Sequence, residues 1–580
     1  MSTDAPAAGA VPGGVPVRGW RAVFPPARWL PGYRASWLPS DAIAGLTLAA
    51  YGIPVSLAYA SLAGLPPQYG VYGYLVGGVG YALFGSSRQL AIGPTSAISL
   101  LVGATIAGMA AGDPARWAQI AALTALVTAG MCVIAWALRL SSLVNFISET
   151  ILLGFKAGAA LTIATTQLPK LFGVKGGGEG FFERLVVLWD QLPSTRLPVL
   201  CFGVAAIVVL LLGERFLPGK PVALGVVVVS ILLLSFTRLG ELGFSVVGAL
   251  PRGLPDLQPP ALRPREVDGL LPLAFACLLL SYVESVSAAR ALAAAHRQEI
   301  DPRQELLGLG AANLAAAVFQ SYPVAGGLSQ SSVNDKAGAR TPLSLVFAST
   351  AIAVCLLFLT GTLATLPNVV LAAIVLVAVK GLISIRDLRH LRKVSRSEFR
   401  MSMAAFAAVL VLGILKGVML AVVISLVLLI RRAAHPHVAF LGRVPGTRTY
   451  SDLQRNPENE PVPGALLVRV EAALLYFNVE NVREAMREGI RAAPKPLKLV
   501  LLDLSSSPAM DVAGARMVDG LEEELRQSAI TVRLVGARAS VRDILRAEGL
   551  EEHVGQIDRR LTVEDVVEEF QRGDGARASA

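Results

Sequence analysis

The apolar residues of this chain are gathered into long stretches that follow one another from about residue 42 to residue 429. Many stretches are close to the roughly 20 residues that a helix needs to cross the hydrocarbon core of a bilayer. The clear spans lie near 43–62, 68–85, 117–138, 198–213, 220–236, 270–289, 343–362 and 415–430, and spans interrupted by glycine, proline or charge lie near 94–111, 143–166, 305–320, 325–338, 369–383 and 399–413. Together they predict about fourteen membrane-crossing segments.

The pattern changes after Arg432, where short apolar runs begin to alternate with segments of helical spacing. These runs predict strands and helices at Ala465–Val470, Val479–Ala492, Leu499–Leu504, Val512–Arg526, Ile530–Val535 and Val541–Glu548. Such alternation predicts a small sheet with helices packed on it. We therefore expect an all-α polytopic membrane domain followed by a small α/β domain. The expected boundaries are an N-terminal segment 1–40, a membrane domain 41–432, a polar linker 433–463, an α/β domain 464–572 and a disordered tail 573–580.

Composition supports a membrane protein. Of the 580 residues, 54% are hydrophobic and 16% are charged, and the mean hydropathy is +0.58, which excludes an ordinary soluble protein. The 52 Lys and Arg residues outnumber the 42 Asp and Glu residues, and much of the excess lies in loops beside apolar segments. There it indicates membrane topology, and we expect no nucleic-acid partner.

Basic residues identify the cytoplasmic loops, because Lys and Arg accumulate on that side of the membrane. They follow even-numbered segments, at Arg139, Arg215, Lys220, Arg290, Arg297, Arg303, Arg386, Arg389, Arg392, Lys393, Arg396 and Arg400. The loop near 239–266 is an exception, with three arginines on the predicted outer side. The first 40 residues predict no cleaved signal peptide. We expect a multi-pass protein of the plasma (inner) membrane with cytoplasmic N- and C-termini.

The sequence contains no GxxxxGK[ST] nucleotide loop, no nucleophile elbow and no HExxH motif. The five histidines are not clustered in a membrane span, and the four cysteines occur singly in apolar runs. Isolated cysteines of this kind are typical of buried packing residues. We therefore expect no catalytic residue, no metal and no cofactor.

Two interrupted segments in different halves of the membrane region carry the candidate chemistry. Residues 93–99 (GPTSAIS) and 322–332 (YPVAGGLSQSS) each place a glycine-proline break before a hydroxyl-rich helix start. Paired interruptions indicate an inverted-repeat transporter whose half-helix N-termini meet near the bilayer midplane. Unpaired N–H groups and the positive dipole ends there predict a site for an anion, and the alternative is that the hydroxyls only cap the helices. The hydroxyls available to such an anion belong to Thr95, Ser96, Ser329 and Ser331.

Glu284 lies within an apolar segment, where an ionised carboxylate is costly and a carboxyl group is suited to carrying a proton. In the alternative interpretation, it lies near the inner helix end and pairs with Arg290. Glu149 and Lys156 are seven residues apart and so share one helix face. We expect them to form a structural pair, with added positive potential from Lys156 on the anion route as the alternative.

Three further stretches are informative together: 58–72 (AYASLAGLPPQYGVY), 92–96 (IGPTS) and 326–338 (GGLSQSSVNDKAG). They resemble the SulP anion transporter family, which includes bacterial sulfate permeases and animal prestin and pendrin. Residues 501–505 (LLDLS) through 510–514 (MDVAG) resemble a STAS domain. The resemblance implies fourteen segments in two inverted repeats of seven, a core domain that moves against a gate domain, and usually a homodimer.

Matching the motifs residue by residue implies which side chains contact the substrate. Those residues are Tyr59, Thr95, Ser96, Leu328, Ser329 and Gln330, and Glu284 falls at the family's acidic position on the eighth segment. The sequence departs from the family pattern at Val55, where many members have Gln, and at Gln330, where prestin-like proteins have Arg. The second departure makes the pocket less positive. Regulatory STAS domains carry a phosphorylatable Ser where this chain has Val512, so switching by phosphorylation is not expected at that position.

The sequence-based hypothesis is secondary active transport of a small anion, such as sulfate, bicarbonate or a dicarboxylate, by alternating access with H+ or Na+ as the coupling cation. The alternatives are an uncoupled exchanger or channel-like conductor, and a membrane sensor that signals through STAS. A nucleobase transporter of the same architecture would need carboxylates where this chain has serines. The expected partners are the anion, a coupling cation and membrane lipid, and the STAS partner is not identified.

Overall fold

The computed structural model describes residues 23–106, 109, 113–141, 149–178, 180–217, 221–237, 242–261 and 264–578. The chain divides into two compact units on either side of residue 425.

Among the described residues, sixteen helices of nine residues or more begin in the membrane unit, and the last of them ends in the second unit. They are α1 (Leu38–Leu62), α2 (Gln68–Phe84), α3 (Ser96–Ile106), α4 (Pro114–Ala137), α5 (Glu149–Phe172), α6 (Phe181–Gln191), α7 (Leu197–Phe216), α8 (Val222–Phe236), α9 (Pro264–His296), α10 (Pro302–Val318), α11 (Leu328–Lys336), α12 (Leu343–Phe358), α13 (Asn368–Lys380), α14 (Ile385–Val394), α15 (Arg396–Leu412) and α16 (Ile414–Ala434). Short helical turns occur at Pro26–Trp29, Leu30–Gly32, Ala35–Trp37, Leu192–Ser194 and Thr360–Leu363. Two short strands, β1 (Ile92–Gly93) and β2 (Ala325–Gly326), precede α3 and α11.

Length and apolar composition show that this unit is a membrane domain. Among the described residues, seven helical spans are long and apolar enough to cross a bilayer, and three shorter helices are also apolar. The outward faces of α7 and α16 carry exposed apolar side chains, including Val208, Leu212, Val423 and Val427. Such faces suit contact with lipid, since helices satisfy their backbone hydrogen bonds internally.

The helices form two repeats, in which each helix of the first half corresponds to the helix numbered eight higher. The packing of the helices follows this correspondence. The pair α10 and α4 corresponds to the pair α2 and α12, and both pairs are in contact. The pair α9 and α4 corresponds in the same way to the pair α1 and α12. Likewise, the contact between α15 and α5 corresponds to that between α7 and α13, and the contact between α11 and α1 corresponds to that between α3 and α9. Leaving out the amphipathic helices α6 and α14, each repeat contains seven segments. The predicted helical membrane fold is confirmed.

The second unit is built on a five-stranded sheet with the strand order β4-β3-β5-β6-β7. Its strands are β3 (Val438–Arg443), β4 (Tyr450–Asp452), β5 (Ala465–Val470), β6 (Leu499–Asp503) and β7 (Thr531–Val535). Strands β5, β6 and β7 are parallel, whereas β3 is antiparallel to both β4 and β5. The helices are α17 (Val479–Ala492), α18 (Val512–Gln527), α19 (Ala539–Ala547), the short Glu551–Val554 and α20 (Val563–Ala578). Because β6 is buried at every position, it forms the centre of the core.

Two segments differ from the sequence-based expectation. The polar linker 433–463 contributes β3 and β4 to the sheet, because residues 438–443 alternate in burial and pair with β5 through backbone hydrogen bonds. Short edge strands of mixed polarity give a weak sequence signal. The last helix runs to Ala578, into the predicted disordered tail. Residues 1–22 of the predicted N-terminal segment lie outside the described part of the chain.

Candidate functional site

The two interrupted segments meet in the buried interior of the membrane unit. Strands β1 and β2 pair in an antiparallel register that places Ile92 opposite Gly326 and Gly93 opposite Ala325. Glycine is required at position 93, since a Cβ atom there would lie 2.3 Å from the Tyr74 ring. The antiparallel pairing means that α3 and α11, which follow the two strands, enter from opposite directions. Their N-terminal ends therefore approach the same region, as the sequence predicted.

Side-chain hydrogen bonds join the two breaks. The Gln330 amide nitrogen donates to the carbonyl oxygens of Ala91 and Ala325, each over 3.0 Å. The Ser331 hydroxyl accepts from the Ala91 N–H at 3.0 Å and donates to the Gly327 carbonyl at 2.7 Å. Both side chains are therefore engaged with the backbone. Gln330 and Ser331, which the sequence analysis counted among possible anion contacts, also hold the two breaks together.

A third connection comes from α9. The Ser285 hydroxyl accepts a hydrogen bond from the Gly326 N–H at 2.8 Å, so the residue that follows Glu284 is attached to β2. A further bond joins Ser99 on α3 to the Tyr322 hydroxyl at 3.0 Å. Sequence reasoning did not assign a role to either contact. A serine beside an intramembrane carboxylate was the available signal for Ser285.

The remaining predicted contact residues lie around the two helix starts. Tyr59, Thr95 and Ser96 are buried, with exposed fractions of 7%, 8% and 8%, and the Tyr59 hydroxyl faces the Ser96 side chain. Leu328 and Ser329, at the first turn of α11, are exposed to open space. No side chain caps α11 at Gly327, so the N–H groups of its first turn remain available. This arrangement can accept an anion through neutral donors.

Glu284 faces this region from α9. Its side chain is half-buried, although Val283, Ser285 and Val286 on the same turn are buried, so the carboxylate borders an accessible space. Within the described part of the chain, the buried Thr95 hydroxyl oxygen has no hydrogen-bond partner, and it faces the Glu284 carboxylate. Glu284 also interacts electrostatically with Lys156 on α5.

The Glu284 interaction changes the interpretation of Lys156, whose sequence-predicted partner was Glu149. The Glu149 side chain lies outside the described residues, so that pair is not described. The alternative partner of Glu284, Arg290, lies on the exposed side of the same helix and is not among the groups that interact with the carboxylate. Lys156 lies on α5 of the first repeat and its charge acts on Glu284 of α9, the first helix of the second repeat.

Two buried carboxylates were missed by sequence reasoning. Glu305 at the start of α10 accepts hydrogen bonds from the Tyr81 hydroxyl, from the Ser86 N–H and hydroxyl, and from the Ser87 N–H, over 2.6 to 3.1 Å. Asp41 in the first turn of α1 accepts from the N–H groups of residues 340 and 341 and from the Thr341 hydroxyl. Donors surround both carboxylates, which fits a structural role. Among the described residues, no cluster of His, Cys, Asp and Glu is arranged to hold a metal ion.

Comparison with known proteins identifies this architecture. The chain matches the sulfate permease family over residues 38–405 and the STAS domain over residues 456–569. It is 33% identical over 552 residues to a probable sulfate transporter of Mycobacterium tuberculosis, covering 94% of this chain and 99% of the relative. The solved structure of the murine anion transporter solute carrier 26 family member A9, in its inward-facing state, matches with a TM-score of 0.85 and 22% identity over 95% of this chain and 94% of that one.

A second solved structure, the transmembrane domain of a cyanobacterial bicarbonate transporter, matches with a TM-score of 0.59 and 23% identity. It covers 68% of this chain and 98% of its own. At these identities the two structures show the shared fold. The family match and the full-length relative establish more: this chain belongs to the sulfate permease family, whose members are membrane transporters and not enzymes, and ends in a STAS domain.

Proposed function

We propose that this protein transports a small inorganic anion by alternating access, with sulfate as the first candidate substrate. The observation that carries the proposal is the antiparallel pairing of β1 with β2, which brings the N-terminal ends of α3 and α11 to one region. Two half-helix ends supply backbone N–H groups and positive dipole ends to an anion without a formal charge. The curated relative in Mycobacterium is named a probable sulfate transporter, which favours sulfate over bicarbonate and dicarboxylates.

The proposed contacts are the free N–H groups at Leu328 and Ser329 together with the hydroxyls of Thr95, Ser96 and Ser329. Neutral donors hold an anion with moderate free energy, since a hydrogen bond to a charged group contributes about 1.5–3 kcal/mol net. A carrier must also release its substrate, and a site of neutral donors meets that requirement. Tyr59 borders the site through its contact with Ser96, while Gln330 supports the site through the backbone.

Glu284 is the proposed coupling residue, with a proton as the preferred cation. Its carboxylate borders the accessible space, faces Thr95 and interacts with Lys156. An ionised Glu284 neutralises Lys156 and places negative potential beside the anion site. Protonation removes that charge and leaves the ammonium of Lys156 free to attract the anion. Because Lys156 already supplies a cation near the carboxylate, a sodium ion at the same position would meet like-charge repulsion.

Transport by reconstituted protein tests the proposal. Purified protein in liposomes is given labelled sulfate, with and without an inward proton gradient and, separately, an inward sodium gradient. We expect sulfate uptake that rises with the proton gradient and falls when unlabelled sulfate competes. Sulfate uptake that is the same with and without either gradient would indicate uncoupled exchange or channel-like conduction. The complete absence of anion flux would contradict a transport function and favour the sensor interpretation.

We also propose the orientation of the protein in the membrane and its assembly as a homodimer. The basic loops favour an inner membrane location with both termini in the cytoplasm, since positive residues mark that side. Protease accessibility of the STAS domain in inside-out and right-side-out vesicles tests this orientation. The family resemblance favours a homodimer, which light scattering of the detergent-solubilised protein tests by its mass.

A further inference from the structure

Helix α14 is a ten-residue helix at the membrane boundary that the transport proposal does not use. It begins five residues after the membrane helix α13 ends at Lys380, and a single residue, Ser395, separates it from α15. A chain that leaves one membrane helix and enters the next within this distance keeps the intervening helix close to the surface of the bilayer. Residues 386–400 around it contain six basic side chains.

The faces of α14 have different character. Arg386, Arg389 and Lys393 are spaced by three and four residues, so they share one face, and all three are exposed. The opposite face carries Leu388, which is half-buried, and Leu391, which is buried. The apolar face therefore packs on the protein, while the basic face is presented outward.

None of the six basic side chains in 386–400 forms an ion pair with a carboxylate in the described part of the chain. The carboxylate of Asp387, the acidic residue of α14, forms a hydrogen bond with Ser384, and the Arg392 guanidinium lies over the Phe399 ring at 5.9 Å. Arginines on the helices of the second unit behave differently. Arg487 pairs with Glu524 and Arg546 pairs with Glu551. The positive charge of α14 is therefore available to bind an external anionic partner.

We propose that α14 binds the anionic headgroups of membrane phospholipids. Clusters of four to eight basic residues beside a membrane helix or on an amphipathic helix are typical of such sites. The exposed apolar residues at its two ends, Ile385 and Val394, with exposed fractions of 56% and 70%, suit the boundary between headgroups and acyl chains. Apart from Asp387, α14 carries no carboxylate that would compete with lipid phosphate groups for its basic side chains.

The corresponding helix of the first repeat provides a contrast. Helix α6 exposes Phe182, Val186 and Trp189, which also suit a bilayer surface. It carries acidic residues at 183 and 190 and a single arginine, whereas α14 has four Lys and Arg residues and one acidic residue. The two amphipathic helices occupy equivalent positions in inverted repeats, so they lie toward opposite faces of the membrane. Of these two helices, only α14 has the positive charge needed to bind an anionic leaflet.

Lipid binding by the full-length protein tests the proposal. Dioctanoyl phosphatidylglycerol and dioctanoyl phosphatidylcholine are titrated separately into protein in a neutral detergent, and native mass spectrometry measures the first dissociation constant for each. The test variant replaces four basic residues of α14: R386Q, R389Q, R392Q and K393Q. The control variant removes the same charge from exposed positions of the second unit: R455Q, R538Q, R559Q and R560Q. Circular dichroism and gel filtration verify the fold of both.

We expect the wild-type protein to prefer phosphatidylglycerol. The α14 variant should bind this lipid at least about fivefold more weakly, because even one basic residue near an anionic surface contributes about fivefold to the affinity. Phosphatidylcholine binding should not change, and the control should remain within about twofold of wild type. A preference that survives in the α14 variant, or that falls equally in the control, overturns the proposal. A wild-type protein without any preference also overturns it.

Discussion

The backbone N–H of Ala91 donates a hydrogen bond of 3.0 Å to the hydroxyl of Ser331, a residue 240 positions later in the chain. This bond joins the break of the first repeat to the helix start of the second. Together with the Gln330 amide, it holds β1 and β2 in register. The geometry of the proposed anion site therefore depends on side chains that do not contact the anion.

Replacing Gln330 by Leu should destabilise the membrane domain. The Gln330 amide nitrogen satisfies the carbonyls of Ala91 and Ala325, and an unsatisfied buried acceptor costs about 1–3 kcal/mol. The melting temperature of the detergent-solubilised protein should fall, and the maximum transport rate should fall more than the apparent affinity. The control is Gln258→Leu, whose side chain lies outside the site and is exposed. An unchanged melting temperature in Gln330→Leu would contradict the positioning role.

Ser329→Ala should weaken substrate binding without affecting folding. The Ser329 side chain is exposed to the accessible space and makes no described hydrogen bond within the protein, so its removal leaves no internal group unsatisfied. Loss of one hydrogen bond to an anion should raise the KM for sulfate by about tenfold, from a contribution of about 1.5 kcal/mol. The matched control is Ser332→Ala, one turn further along α11. Equal KM values for the two variants would exclude Ser329 from the site.

Glu284→Gln should remove the proton dependence of uptake. Glutamine preserves size and hydrogen bonding but cannot exchange a proton, so sulfate flux should no longer respond to an imposed pH gradient. In the wild type, uptake should rise as the outside is made more acidic, because a symported proton then moves down its gradient. The control is Glu183→Gln on α6, an exposed carboxylate away from the site. Retained pH dependence in Glu284→Gln would refute proton coupling through this residue.

Gly154→Ala should disrupt the packing of α5 on α15. A Cβ atom at residue 154 would lie 1.8 Å from the Ser402 carbonyl oxygen, too close for any rearrangement confined to side chains. A matched control is Gly130→Ala on α4, where the added Cβ meets no atom within 4 Å. Gel filtration should show a large loss of monodisperse protein for Gly154→Ala and none for Gly130→Ala. Comparable yields would show that the two helices are packed less closely than described.

Sequence reasoning predicted the membrane fold well because membrane helices have a strong local signal. The predicted spans near 68–85 and 220–236, for example, agree with α2 and α8 to within two residues at each end. The interrupted segments at 93 and 326 were also identified, since glycine and proline mark breaks in the chain itself. Strands β3 and β4 were missed because a short edge strand takes its stability from pairing with distant residues.

The internal arrangement of the site could not be predicted to the same extent. Gln330 was expected to contact the anion, and only the folded structure shows that its amide is engaged with two backbone carbonyls. Lys156 was assigned to Glu149 by helical spacing, and that pair stays a prediction because the Glu149 side chain lies outside the described residues; the electrostatic effect of Lys156 on Glu284, 128 positions away, had no signal in the sequence. Contacts of this kind depend on which helices pack together. A single sequence contains no local signal for that packing.

The most direct test of the central claim is an equilibrium measurement of sulfate binding to purified Ser329→Asp protein. A carboxylate at the first turn of α11 would occupy the helix N-terminus and repel an anion, because like charges a few ångströms apart repel strongly in a partly desolvated site. The control is Ser194→Asp, an exposed position between α6 and α7. We expect Ser329→Asp to lose sulfate binding and Ser194→Asp to retain the wild-type dissociation constant. Wild-type binding by a folded Ser329→Asp protein would contradict an anion site between the two half-helices.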